Sequence, residues 1–431
     1  MTTEELYEIY KRHPKISTDS RNVAAGSIFF ALKGEAFDGN RFAEAALREG
    51  AAWAVVDDAD LKNHPNVILM EDVLEALHHL AQHHRRQLRI PVIGITGSNG
   101  KTTTKELLSQ ALQTKFRTFA TSGNLNNHIG VPLSLLSITG DIEIAVIEMG
   151  ANHQGEIAAL CQIARPDFGI ITNIGRAHLE GFGGYAGVIK AKTELYDFIR
   201  ENGGHLFVHH DDALLMEKSA AIVRTTYGAL PGADVQGFIT EKFPSLALQL
   251  IHPAKGTAIN TQLAGSYNFP NVMAAVTISR YFDAGLQEVA KAIENYLPVN
   301  NRSQWQTTLH NKLLIDLYNA NPGSMQAVIE NFALAPYGNK VAILGDMLEL
   351  GTESHAEHAA IIKMTQDADF EKVILVGKQF SAFADDYSEK FIFFENADAA
   401  REAIIKMNLK NKTILLKGSR GIRLEKILDI L

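Results

Sequence analysis

The chain has 431 residues, 46% of them hydrophobic, and its 41 Lys plus Arg stand against 49 Asp plus Glu for a formal net charge of −8. That length allows two or three domains, each with its own core, and the acidic balance argues against a nucleic-acid binder, which usually carries a basic excess. One cysteine, Cys161, excludes an internal disulfide and fits a reducing compartment. No run approaches the roughly 18 apolar residues of a membrane span. The acidic, mixed start MTTEELYEIYKRHP has neither the basic end nor the apolar run of a signal peptide. A soluble cytoplasmic protein without membrane insertion is expected.

In chain order the pattern falls into three zones. The first, 1–89, holds short apolar strands at Ser27 to Leu32 and Ala54 to Val56 between Gly- and Asp-rich turns, and closes with a helix from Asp72 to Arg89. The second, 90–298, opens with a buried strand at Val92 to Thr96 that feeds a Gly-rich loop and a helix. Further apolar runs follow at Ile144 to Glu148 and Phe168 to Asn173. Strands alternating with helical segments predict a parallel α/β sheet. The third, 299–431, alternates again, with strands at Leu313 to Asp316, Val341 to Leu344, Val373 to Val376 and Thr413 to Leu416. It predicts a smaller Rossmann-like domain. There is no G-x-G-x-x-G run, so no dinucleotide is inferred.

The loop Thr96-Gly97-Ser98-Asn99-Gly100-Lys101-Thr102-Thr103 carries the clearest chemistry. Phosphate binding needs a backbone that turns tightly and points N–H groups inward, which glycines permit. The helix that follows adds its N-terminal partial positive charge. Lys101 can reach the β- and γ-phosphates of ATP, and the Thr102 hydroxyl can ligate Mg²⁺. The first glycine of the usual P-loop would fall at Ile95, so this is the shorter G-x-x-G-K-T form.

A phosphate-bound Mg²⁺ usually takes a carboxylate from a neighbouring strand. Glu148 ends the run Ile144 to Ile147, although a strand-end glutamate can equally be ordinary surface. His178 follows another strand, where core, surface and functional readings all stay open. On spacing alone Lys192, in the helical run Lys190 to Leu195, is a solvated lysine. His78, His79, His83 and His84 have spacings that could suit a metal, but no carboxylate or cysteine lies between them. A solvated helix face is expected there.

Several runs together resemble one family, the ATP-dependent Mur ligases of peptidoglycan synthesis. They are TGSNGKTTTKE (Thr96 to Glu106), GNLNNHIGVPLSLL (Gly123 to Leu136), VIEMGANHQGEI (Val146 to Ile157) and TNIGRAHLEGFG (Thr172 to Gly183). GSYNFPNVMAA (Gly265 to Ala275), LLIDLYNANPGSM (Leu313 to Met325), LGDMLELG (Leu344 to Gly351) and KGSR (Lys417 to Arg420) continue the series. The runs span nearly the whole chain in order. EMGANH, LYNANP, GDMLELG and KGSR look most like the branch that joins D-alanyl-D-alanine to UDP-N-acetylmuramoyl-tripeptide.

The resemblance implies three α/β domains: an N-terminal UDP-binding module, a central P-loop mononucleotide-binding domain and a C-terminal Rossmann-like domain. It implies that Gly97 to Thr103 hold ATP, with Lys101 and Thr102 at the β,γ-phosphates and Mg²⁺. It implies that Glu148 and His178 help to hold the metal, and that Lys192 matches the family lysine that takes up carbon dioxide as a carbamate and can then ligate Mg²⁺. Lys101, Lys192 and His178 would be the catalytic set. Asn268 and Asn271 match a pair near the adenine, Arg302 an arginine near the ATP, and Asp316 an aspartate near the ribose. Ser20, Arg21, Lys33 and Gly34, from STDSR and FFALKGEAFDGNRF, match the UDP module. Asn126, Asn127, Asn319 and Asn321 are the remaining substrate candidates. The chain is expected to act as a monomer.

Three positions depart from the family pattern. Tyr267 stands where His is common, and Leu317 and Gly323 stand where Ser and an acidic residue are frequent. They bear on contacts to ribose or dipeptide. Two rivals share parts of the pattern. A folate-extending ligase of the same superfamily would lack the STDSR, LYNANP, GDMLELG and KGSR runs. A P-loop kinase or GTPase leaves the third domain unexplained, and there is no N-K-x-D run for guanine. A non-enzymatic scaffold would be expected to have lost some of Lys101, Glu148, His178 or Lys192.

Overall fold

The computed structural model describes residues 1–253, 256–298, 301–387 and 390–431. Its architecture is three α/β domains in series, each built on its own sheet. The boundary expected between 298 and 299 borders residues 299–300, which lie outside the described residues.

In the first domain, Ile16–Ser17, Ile28–Phe30, Trp53–Val56 and Val67–Leu69 form a four-stranded sheet in that order, all parallel. Ile28, Phe29 and Phe30 are all buried, as expected of a parallel strand covered on both faces. The predicted helix is Val73–Gln87. Asp72 caps it, its carboxylate accepting the Glu75 N–H at 2.7 Å. Val73, Ala76, Leu77, Leu80 and Ala81 make the buried stripe. The helix packs on Thr3–Arg12 and also on Gly130–Leu136 and Glu156–Ala164 of the central domain.

That packing corrects the expectation of a solvated histidine face. His79 is exposed, but His84 is buried, with Nδ1 3.2 Å from the Tyr7 hydroxyl and Nε2 3.1 Å from the Ile138 carbonyl. His78 Nε2 lies 2.6 Å from the His128 carbonyl. These rings fill the seam between the domains because the helix is sandwiched there. Among the described residues no group of three His, Cys, Asp or Glu could hold a metal.

The central sheet has nine strands, and Val92–Thr96 lies between Phe168–Ile171 and Ile144–Glu148. These three are parallel and fully aligned: Ile95 lies opposite Glu148, and Thr96 opposite Ile171. Their carboxyl ends therefore meet on one edge. The expectation of a parallel sheet holds for this core but not for its far side. There Val235–Glu241, Ala247–His252 and Ala258–Asn260 pair antiparallel.

The third domain has a six-stranded sheet, in the order Gln304–Thr307, Lys312–Asp316, Thr413–Lys417, Lys340–Gly345, Lys372–Val376, Phe391–Phe394. Only the first strand is antiparallel to its neighbour. The carboxyl ends of Lys312–Asp316 and Thr413–Lys417 face the central domain across a cavity.

Candidate functional site

The phosphate loop is held in a conformation that only glycine accommodates. Gly97 has φ +141°, and a Cβ there would sit 2.0 Å from Thr172 Oγ1. Gly100 has φ +79°, and its Cβ would sit 2.6 Å from Asn271 Oδ1. The neighbouring strand pins the loop. Ser98 N–H donates to the Asn173 carbonyl at 3.0 Å, Asn99 N–H to Asn173 Oδ1 at 3.0 Å, and Thr172 Oγ1 to the Asn99 carbonyl at 2.6 Å. The helix Lys101–Leu112 starts directly after Gly100, so its positive end opens on the cavity. Lys101 Nζ folds back on the loop and donates to the Gly97 carbonyl at 2.6 Å. Burial pushes this ammonium below its ordinary value, Glu148 pulls it back, and Arg302 adds repulsion. Thr103 is buried beside it.

Glu148 sits at the cavity floor, 1% exposed. Its Oε1 accepts from Thr102 Oγ1 at 3.3 Å and from Asn126 Nδ2 at 2.8 Å. Oε2 is buried without a hydrogen-bond partner among the described residues, and only the Lys105 ammonium approaches it, at 3.9 Å. Lys105 itself donates to the Thr121 carbonyl at 2.7 Å. Asn127 also lines the cavity, but its Oδ1 caps the helix Gly130–Leu136 through the Ile129 and Gly130 N–H groups.

The cavity holds about 930 Å³ and is closed from the other side by the third domain. Arg302 lies 3.5 Å from the Tyr318 ring centre, and its buried Nε has no hydrogen-bond partner among the described residues. Asp316 is ion-paired with Lys417 at 2.7 Å, and Lys417 Nζ reaches the Asn319 carbonyl at 3.1 Å. Asn321 caps the helix Pro322–Leu334 and pairs with the loop itself, its Nδ2 donating to Asn99 Oδ1 at 2.8 Å. Asn268 and Asn271 are buried at the cavity wall and bonded to each other at 2.9 Å, with Thr104 Oγ1 donating to Asn271 Oδ1 at 3.1 Å.

His178 lines the cavity, and its Nδ1 meets the Glu349 carboxylate of the third domain. Lys192 does not reach the wall. It is 2% exposed, so the solvated reading of its helix position is overturned. Its Nζ is 3.5 Å from the Ala151 carbonyl and 5.1 Å from the Phe182 ring centre. Burial, with help from Lys101, lowers its pKa to about 7. The first-domain candidates do not join the cavity. Ser20 is half-buried, Arg21 is exposed and paired with Asp19 at 2.7 Å, Lys33 pairs with Asp57 at 2.8 Å, and Gly34 lies in a two-stranded turn with Phe37.

Three family profiles cover the chain in series: "Mur ligase family, catalytic domain" over 14–92, "Mur ligase middle domain" over 95–279, and "Mur ligase, glutamate ligase domain" over 301–420. The UDP-N-acetylmuramoyl-tripeptide--D-alanyl-D-alanine ligase of Escherichia coli is 36% identical over 96% of this chain and 93% of its own length. The chain belongs to the Mur ligase family. The crystal structure of MurF from Acinetobacter baumannii superposes with a TM-score of 0.88 at 33% identity, covering 96% of this chain and 92% of that one. The MurF ligase of Thermotoga maritima, solved in complex with ADP, gives 0.84 at 28% identity, covering 96% of each chain.

Within this Mur ligase, sequence reasoning passed over Lys105, Tyr318, Lys417 and Glu349. Lys417 and Glu349 sit in the quoted KGSR and LGDMLELG runs. A lysine or glutamate there has no local signal, because its partner lies in another element or domain. The departures sort themselves structurally. Tyr267 lines the cavity and donates to Ser303 Oγ at 3.0 Å. Gly323 lines the cavity with room around it, the nearest atom to an added Cβ being Asn99 Nδ2 at 3.7 Å. Leu317 is buried in the third domain's core and does not line the cavity.

Proposed function

We propose that this chain ligates D-alanyl-D-alanine to the terminal carboxylate of UDP-N-acetylmuramoyl-tripeptide at the expense of ATP, releasing ADP and phosphate. The observation that carries the reading is the meeting of two domains on one cavity. The phosphate loop and Glu148 come from the central strand edge, and Arg302, Asp316 and Asn321 come from the third domain. The E. coli enzyme bears this activity in its name, and the Thermotoga maritima structure holds ADP.

A carboxylate is a poor electrophile at neutral pH. In the first step a tripeptide carboxylate oxygen bonds to the γ-phosphorus of ATP and the bond to ADP breaks, giving an acyl phosphate. The dipeptide amine then attacks the acyl carbon. The C–N bond forms, the C–O bond to phosphate breaks, and the amine gives up its proton. Lys101 and the loop N–H groups face the charge that builds on the transferred phosphoryl group. Arg302 adds a second fixed cation, and Asp316 and the Asn268–Asn271 pair receive the ribose and adenine. Closure of the third domain over the loop keeps water from the acyl phosphate. Asn126, Asn127, Asn319 and Asn321 line the space left for the tripeptide's acyl end and the dipeptide, and Ser20, Arg21, Lys33 and Gly34 hold the UDP end.

The residues present fit Mg²⁺. Glu148 Oε2 is a buried carboxylate oxygen with no hydrogen-bond donor, beside the Thr102 hydroxyl, an arrangement that suits a hard cation. Thr102, Glu148 and His178 would hold the metal, joined by Lys192 once a carbamate extends its buried amine toward the cavity, and the ion would supply charge neutralisation at the β,γ-phosphates. Carbamylation needs a neutral amine, and a pKa of about 7 makes Lys192 neutral much of the time in the cytoplasm. There the chain acts as a monomer. Among the described residues no helix is long and apolar enough to cross a membrane.

The test is phosphate release from ATP with UDP-tripeptide and dipeptide, singly and together. Release that requires both is expected. Release indifferent to either acceptor rejects the assignment.

A further inference from the structure

His178 and Glu349 meet in a way that neither domain would produce alone. His178 caps the short helix Leu179–Phe182 in left-handed backbone, φ +52°. Its Nδ1 is taken by the Glu349 carboxylate, which leaves Nε2 as the ring nitrogen available to a ligand in the cavity. Glu349 is also left-handed, φ +62°. Such backbone in a non-glycine residue costs about 1–3 kcal/mol and persists only where the surroundings over-determine it.

The surroundings do so on the Glu349 side. The loop begins at buried Asp346, whose carboxylate accepts the Gln379 and Phe380 N–H groups, each at 2.9 Å. The Met347 N–H donates to His358 Nε2 at 3.1 Å, and the Leu348 N–H to Ser419 Oγ at 3.0 Å. Leu350 is buried just beyond. The loop is thus fixed in its own domain up to the one residue that crosses. Gly351 sits against Glu180, where an added Cβ would come within 3.2 Å of the Glu180 Cβ, so the approach of the two backbones is close.

A second set of cross-domain contacts lies alongside. Arg176 pairs with Glu353 at 2.6 Å and Glu357 at 3.0 Å. These ion pairs join the domains without touching His178, and so provide an internal control.

We propose that Glu349 is a positioning residue for His178: its carboxylate, carried in by the third domain, accepts the Nδ1–H hydrogen bond and fixes the ring with Nε2 toward the metal position, so that metal affinity depends on domain closure. The inference rests on the metal reading above. Metal-bound histidines commonly donate their other ring N–H to a carboxylate, which sets tautomer and ring orientation. Here that carboxylate is 171 residues away in sequence and belongs to another domain. With the domains apart, His178 has no orienting partner, and the metal set, although all of it lies in the central domain, is not held in its binding arrangement. By reciprocity, metal that binds better to the closed form also favours closure.

The experiment titrates Mn²⁺ by electron paramagnetic resonance into the full-length protein with a non-hydrolysable ATP analogue. Wild type, E349A, the double variant E353A/E357A and E148Q are compared, each checked by thermal melting. E349A is expected to weaken Mn²⁺ about tenfold, and in turnover to raise the Mg²⁺ requirement more than it lowers kcat at saturating Mg²⁺. The double variant, which loosens the seam but leaves the His178 partner in place, is expected to weaken Mn²⁺ by much less than E349A does. Wild-type affinity in E349A overturns the proposal, and so does an equal loss in the double variant, which would make Glu349 one more domain latch. If E148Q binds Mn²⁺ as wild type does, the metal reading itself falls.

Discussion

Replacing Lys192 with Met should stabilise the protein while abolishing its activity. The Lys192 ammonium is 2% exposed, has one weak carbonyl contact at 3.5 Å, and is repelled by Lys101. Its pKa falls from 10.5 to about 7 on folding. Between those values the unfolded chain binds more protons than the folded one, so this group makes stability rise with pH across that window. The penalty is fully present below about pH 7 and gone above the unfolded value. At about 1.4 kcal/mol per unit it is on the order of 5 kcal/mol. Methionine keeps the length and apolar stem, and volume-conserving swaps cost under about 1.5 kcal/mol. A net gain of a few kcal/mol is expected for Lys192→Met at pH 6.5 in carbon-dioxide-free buffer, shrinking toward pH 10. Urea denaturation at several pH values measures it. Carbon dioxide supplied from added bicarbonate, which forms a carbamate with the neutral amine of folded Lys192, should raise the melting temperature of wild type and not of the variant. A variant less stable than wild type at pH 6.5, or a difference that does not change with pH, would refute the claim that burial holds this amine near neutrality.

Three further outcomes follow from the site. Lys101→Ala should lower kcat by about 100-fold or more with the fold intact, since it removes a donor at the transferred phosphoryl group; a tenth of wild-type turnover would sink the assigned role. Gly97→Ala should lose nucleotide binding in calorimetry yet melt cooperatively, because its Cβ would meet Thr172 Oγ1 at 2.0 Å; an unchanged nucleotide Kd would show that the loop is not the phosphate site. Lys417→Met leaves Asp316 without its 2.7 Å partner and should cost about 3–5 kcal/mol of stability, read by denaturant titration; a neutral result would mean that Asp316 is solvated well enough without it.

The sequence disclosed the central domain because its signals are local. The strand Val92–Thr96, the two glycines and Lys101 lie within a few positions of one another, and backbone geometry alone explains why each is there. Glu148 was legible only as a strand-end carboxylate. Its orphaned Oε2 is a fact of three strands in register, which spacing does not encode. Lys192 shows the limit most sharply. A lysine in a helical run reads as solvated by default, and only the packing of its helix Tyr185–Glu201 against Glu156–Ala164, Leu179–Phe182 and the central sheet buries it. The antiparallel extension formed by Val235–Glu241, Ala247–His252 and Ala258–Asn260 was missed for a similar reason. Its strands lie at the sheet's margin, and their pairing partners follow from tertiary register.

The histidine helix and the Glu349 loop failed to announce themselves for one shared reason: both act across a domain seam. His84 reads as polar surface until Tyr7 and the Ile138 carbonyl close over it from two other elements. Glu349 reads as an acidic loop residue until the third domain brings it to His178. A seam residue answers to two local environments, and its own neighbours in sequence describe only one of them. The left-handed backbone at both His178 and Glu349 is the trace that this double requirement leaves. It also implies an asymmetry in how the site forms. The phosphate loop is complete within the central domain and can take nucleotide with the domains apart, whereas the metal set is held in its binding arrangement, and the acceptor space completed, only when the third domain arrives. Nucleotide should therefore bind before closure, and tight metal binding should come with closure.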